Sequence, residues 1–154
     1  MKRDSRLSGI LHLLLHMAEA EGPLTSEALG RLMRTNPVVI RRTLSGLKEQ
    51  GIVGSERGHG GGWTLERNLS AVTLGDVYRA LGHPALFAIG NRNETPGCLL
   101  EQAVNAALDD ALKEAEEILV ASFDRVSLAT LEADFRERLD RGPQSKSRKE
   151  NHAG

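Results

Sequence analysis

Cysteine is almost absent from this chain of 154 residues; Cys98 is the single one. One thiol excludes an intrachain disulfide framework and fits a reducing cytosol. Aromatic side chains are scarce too, with one Trp, one Tyr and three Phe. A core therefore has to be built from Leu, Val, Ile and Ala, which favours helices. No long apolar run exists: after Met1-Lys2-Arg3-Asp4 the first hydrophobic stretch is broken by His12 and His16. A signal peptide and a membrane-spanning helix are both excluded on that pattern, and a soluble cytoplasmic protein is expected. Catalytic signatures are missing as well. There is no HExxH, GxSxG or Walker pattern, and Asp109-Asp110 with Glu114-Glu116-Glu117 read as the wet face of a helix. An enzyme is not expected, nor a cofactor or a bound metal.

What is present is a chain about one domain long, with 40% apolar residues. Its net charge of −1 hides an asymmetry. Residues 1–67 hold ten Lys/Arg against seven Asp/Glu, residues 68–140 six against thirteen, and residues 141–154 four against one. A mildly basic front on an acidic back suits a reader of nucleic acid joined to a scaffold.

Leu7, Ile10, Leu11, Leu14, Leu15 and Ala18 repeat as the stripe of an amphipathic helix that Gly22-Pro23 stops. Thr25 caps a second helix, with Glu27 in its first turn and Ala28, Leu29, Leu32 and Met33 turned inward. The third helix is the best marked: Asn36 as N-cap, Pro37 at the first position, Gly51 as the stop. Ile40, Leu44 and Leu47 form its buried face, while Val38, Arg41, Arg42, Ser45 and Lys48 form a cationic one. Ile52 to Arg57 and Trp63 to Leu65 read as two short strands, joined by a turn whose glycines permit positive φ. Thr73 caps a fourth helix with Asp76 in a capping box.

Residues 82–97 are turn-rich and read as a loop. A long helix over 98–121 follows, with Leu100, Val104, Ala107, Leu108, Ala111, Leu112, Ala115, Ile118 and Leu119 on one broad face, and then a short helix marked by Leu128, Leu131, Phe135 and Leu139. The expected fold is mainly α: a winged helix-turn-helix DNA-binding domain over 1–81 with a two-stranded wing, the loop, a dimerisation helix and C-terminal helix over 98–140, and a disordered tail over 141–154. Asn36, Pro37, Val38, Arg41, Arg42, Ser45 and Lys48 of the third helix, with Arg57, His59 and Gly60 of the hairpin, are the candidate contacts to double-stranded DNA. Arg41, Arg42 and Ser45 suit base edges in the major groove, and Thr43 and Lys48 suit phosphate. Arg57 and His59 suit the backbone or the minor groove. The alternative is a winged-helix module that binds protein and not DNA.

Thr35-Asn36-Pro37-Val38-Val39-Ile40-Arg41-Arg42, Gly51-Ile52-Val53, Ser55, Arg57-Gly58, Gly60-Gly61-Gly62-Trp63-Thr64-Leu65 and Val72 to Leu81 resemble the Rrf-two (Rrf2) family of bacterial winged-helix transcription regulators, over about residues 5–139. That family includes iron–sulfur-cluster and nitric-oxide-responsive repressors. The resemblance implies a homodimer clasped by the long helix and bound to a palindromic operator. Members that carry a cluster use three closely spaced cysteines after the fourth helix, where only Cys98 stands here, so the chain is similar to the cluster-free branch. At the start of the long helix Cys98 is either a redox sensor with a stabilised thiolate or a small packed residue. His12 and His16, four apart, either bind a metal with Cys98 or fill a helix interface.

Overall fold

Local signals account for most of the element boundaries in the structure, a computed structural model that describes residues 4–142. Helix α1 (Arg6–Glu19) buries Ile10, Leu13, Leu14 and Met17, a stripe at helical spacing. Helix α2 (Ser26–Met33) starts where the Thr25 hydroxyl accepts from the Ala28 N–H at 3.1 Å. Helix α3 (Pro37–Glu49) starts where Asn36 Oδ1 accepts from the Val38 N–H at 2.8 Å, and Gly51 beyond its end has φ +69°. Strands β1 (Val53–Glu56) and β2 (Gly62–Leu65) pair antiparallel, with Val53 opposite Leu65 and Glu56 opposite Gly62. Gly58 and Gly60 at the tip have φ +95° and +78°, angles that strain any residue with a Cβ. After a 3-10 turn (Leu69–Ala71), helix α4 (Leu74–Ala80) carries the full capping box of Thr73 and Asp76.

Helix α5 (Leu99–Asp124) has Cys98 at its N-cap and runs three residues past the expected end. Helix α6 (Leu128–Arg141) is capped by Ser127. The tail expected to be disordered over 141–154 lies, from residue 143 onward, outside the described residues; Arg141 ends α6 and Gly142 caps it.

One correction concerns α2. Leu32 was expected to face inward and is 45% exposed. Ser26, Leu29 and Gly30 set the buried face instead, because α3 and the hairpin come in close on that side. A Cβ at Gly30 would lie 2.9 Å from Thr35 O, and Ser26 Oγ receives the indole N–H of Trp63 at 3.0 Å. Hydropathy ranks Leu above Gly and Ser, but the packing of two other elements decides which of them is covered.

The core is a single cluster: Ile10, Leu13, Leu14 and Met17 of α1, Leu29 of α2, Ile40, Leu44 and Leu47 of α3, Ile52, Val53, Val72, Val77 and Leu128. Each fully buried Leu or Ile contributes roughly 1.5–3 kcal/mol to folding. Leu24 and Trp63 exchange two backbone hydrogen bonds, of 3.0 and 2.8 Å, that dock the hairpin against the segment before α2. Leu74 N–H donates to Val126 O and Leu128 N–H to Val72 O, so the start of α6 is pinned beside the start of α4. Helix α5 leaves this core. Its one buried residue is Asn105, whose amide donates to Asn93 O at 2.7 Å and ties down the loop over 82–97. Tyr78 at the base of the loop is buried, and its hydroxyl lies 3.1 Å from both Pro84 O and Glu116 Oε1.

Candidate nucleic-acid interface

Burial of Ile40, Leu44 and Leu47 fixes the rotation of α3. Val38, Arg41, Arg42, Ser45 and Lys48 are thereby exposed together. The hydroxyls of Thr43 and Ser45 donate to Val39 O at 2.9 Å and Arg41 O at 2.7 Å. With its proton committed to the helix, Ser45 presents acceptor lone pairs outward, which suits an exocyclic amino group of adenine or cytosine.

The cations of α3 differ in what holds them. Lys48 Nζ donates to Ser55 Oγ on β1 at 2.7 Å, which fixes the helix end to the hairpin. Arg41 Nη1 donates to Glu27 Oε1 of α2 at 3.2 Å. Arg42 makes no ion pair among the described residues. The Glu27 carboxyl sits below the usual carboxylate range, held there first by Glu27's own backbone N–H and then by the Arg41 guanidinium. At the hairpin tip Arg57, Gly58, His59 and Gly60 are all exposed, with the Gly61 N–H closing the turn on Gly58 O at 3.1 Å. The ten residues expected to touch DNA thus stand on two elements joined directly by the Lys48–Ser55 bond. An α-helix about 10–12 Å across matches the roughly 12 Å width of the DNA major groove.

Sequence reasoning passed over two side chains of this surface, Arg31 and Arg34, and read Glu27 only as a helix-start acid. A cleft of about 480 Å³ between α2 and α3 is lined by Glu27, Gly30, Arg31, Arg34, Thr35, Asn36 and Pro37. Arg31 and Arg34 are exposed there and extend the cationic surface to the start of α3. The density of arginine from 31 to 42 was a visible signal; the approach of Glu27 to Arg41, fourteen residues away, was not.

The remaining candidates lie elsewhere. Cys98 is exposed at the start of α5, and the N–H groups of Glu101 and Leu100 hold its thiol below the ordinary range. His12 and His16 do meet, with Nε2 atoms 2.9 Å apart on α1. Among the described residues no three His, Cys, Asp or Glu side chains converge as a metal site. No described helix is long and apolar enough to cross a membrane.

Comparison with known proteins agrees with this arrangement. A sequence profile of the Rrf2 family, described as "Iron-dependent Transcriptional regulator", matches residues 3–134. YwnA of Bacillus subtilis (strain 168), named as an HTH-type transcriptional regulator, is 31% identical over 117 residues, 75% of this chain and 86% of its own. A crystal structure of a transcriptional regulator from Lactobacillus plantarum superposes with a TM-score of 0.71 at 24% identity, covering 87% of this chain and 91% of that one. CymR, the global cysteine regulator of B. subtilis, superposes with a TM-score of 0.54 at 24% identity, over 87% and 98% of the two chains. The two structures share the fold, mainly helical with a two-stranded wing. The iron of the family description meets no fitting donor set here, since Cys98 is the single cysteine and no other three ligands gather among the described residues.

Proposed function

This chain belongs to the Rrf2 family of transcriptional regulators, and from that premise we propose that it is a cytoplasmic, homodimeric repressor that reads a palindromic operator. The family is one of DNA-binding regulators and not of enzymes. The observation that carries the proposal is the exposed cationic face of α3, tied through Lys48 and Ser55 to the hairpin. Residues 1–81 act as the reading unit. Arg41, Arg42 and Ser45 take base edges, and Val38 takes a thymine methyl. Lys48 and the backbone around Asn36 and Pro37 take phosphate, while Arg57, His59 and Gly60 follow the adjacent backbone or minor groove.

The exposed apolar residues of α5 support dimerisation through residues 98–140. Leu100 is 79% exposed, Val104 57% and Ile118 64%, and a second copy of the same stripe is their natural cover. A two-fold dimer sets its reading helices about 34 Å apart, one DNA turn, or at a multiple of that. Cys98 and the loop over 82–97 sit at the start of this helix, where a redox or small-molecule signal has a lever on the dimer. The lowered thiol pKa of Cys98 favours the thiolate, the form that oxidants attack.

Operator selection with the purified protein, reduced and oxidised, tests the whole proposal. One palindromic sequence should be enriched, with log affinity falling linearly in log salt by about 0.9 per phosphate contacted. A flat salt response or no enrichment would leave a protein-binding module. Oxidant should alter operator affinity in the wild type and not in Cys98→Ser; the same response in both removes Cys98 from the switch.

A further inference from the structure

Glu27 is an acid on a surface that otherwise gathers arginine. It shares the α2–α3 cleft with Arg31 and Arg34, and its carboxylate meets Arg41 Nη1 at 3.2 Å. Both partners are more than half exposed, Arg41 at 51% and Glu27 at 58%, so the bond is not a core contact and adds little to folding. A carboxylate facing DNA phosphates repels them. Its place there calls for a role other than affinity.

The geometry supplies that role. A free arginine loses much rotamer freedom when it locks onto a base. The contact with Glu27 engages Nη1 alone. The Nε–Nη2 edge stays open for the bidentate pair with O6 and N7 of guanine. An arginine already held in one place loses less on binding, which favours the matched sequence. On DNA where Arg41 finds no guanine, the same carboxylate still opposes the phosphates and gains nothing in return. We propose that Glu27 is a positioning residue that sets sequence specificity by presenting Arg41 to a base edge while opposing non-specific binding. This deepens the assignment of Arg41 as a base reader and rests on it.

The two effects have opposite signs, which makes the idea testable with the full-length protein on its selected operator and on random DNA. Glu27→Ala should tighten binding to random DNA and lower the operator-to-random ratio by about two- to fivefold, the scale of an exposed ion pair. Glu27→Gln keeps an acceptor oxygen without the charge and should fall between the wild type and Glu27→Ala. In an Arg41→Ala background, Glu27→Ala should leave the ratio where it is. A ratio unchanged by Glu27→Ala, or lowered equally with and without Arg41, overturns the inference while leaving Arg41 as a reader. If Arg41→Ala alone leaves the ratio unchanged, the assignment of Arg41 falls, and the role of Glu27 falls with it.

Discussion

Helices α3 and α5 carry the same kind of stripe, and the fold treats the two in opposite ways. In α3, Ile40, Leu44 and Leu47 are at most 4% exposed, so the polar face is the one left outside. In α5, Leu99 and Leu100 are 79% exposed and Ile118 is 64%, while the one buried residue of the helix is Asn105. Hydrophobic periodicity says which side of a helix wants cover. It does not say where the cover comes from. For α3 the cover comes chiefly from α2, α4 and β1 of the same chain. Helix α5 packs on α4 through Tyr78–Phe123 and Arg79–Asp124, which leaves Leu100, Val104 and Ile118 exposed, and we attribute their missing cover to a second copy.

Truncations in the two stripes give the sharpest contrast. Leu44→Ala should lower the stability of the chain by about 2–5 kcal/mol, because Leu44 is fully buried. Leu100→Ala should cost no more than about 0.5 kcal/mol under conditions where the chain is monomeric. Urea unfolding followed through Trp63, the single tryptophan, reads both. Equal losses would mean that α5 finds its cover within the chain, and the comparison would break.

A charge in the α5 stripe comes next in size. Val104→Glu combined with Leu108→Glu should convert a dimer to a monomer in sedimentation and weaken operator binding by about a hundredfold or more. That loss reflects the second half-site contact no longer being intramolecular. Binding to an isolated half-site should hardly change. A double variant that still sediments as a dimer would place the interface elsewhere.

How much of this was legible in the sequence follows from the range of each interaction. The caps of α2, α3 and α4 were readable because Thr25, Asn36 and Thr73 bond to groups two or three residues away. The hairpin turn was readable because tolerance of positive φ is a property of the residue itself, and Gly58 and Gly60 have it. The inward turn of Ser26 was not, since it depends on Trp63, thirty-seven residues on. Nor was the pinning of α6 through Leu128 to Val72, which brings the last helix back to the core of the first half. At the interface, helical spacing alone grouped Val38, Arg41, Arg42, Ser45 and Lys48, whereas Glu27 and the cleft it shares with Arg31 and Arg34 needed the fold.

The smallest effects separate the two parts of the reading surface from each other. Arg42 stands on α3 without an ion pair among the described residues, so its guanidinium is free for a base edge. Arg42→Ala should reduce discrimination between operator and random DNA by about 1–3 kcal/mol, the worth of one bidentate contact. Arg57 belongs to the hairpin tip, where φ of +95° at Gly58 turns the chain and no helix holds the side chain in register with the bases. A phosphate contact made from there carries no sequence information. Arg57→Ala should weaken operator and random DNA alike and reduce the slope of log affinity against log salt by about 0.9, one phosphate's share. If Arg57→Ala instead lowered discrimination as far as Arg42→Ala, the hairpin would be reading sequence or groove width, and helix and wing would act as one reader.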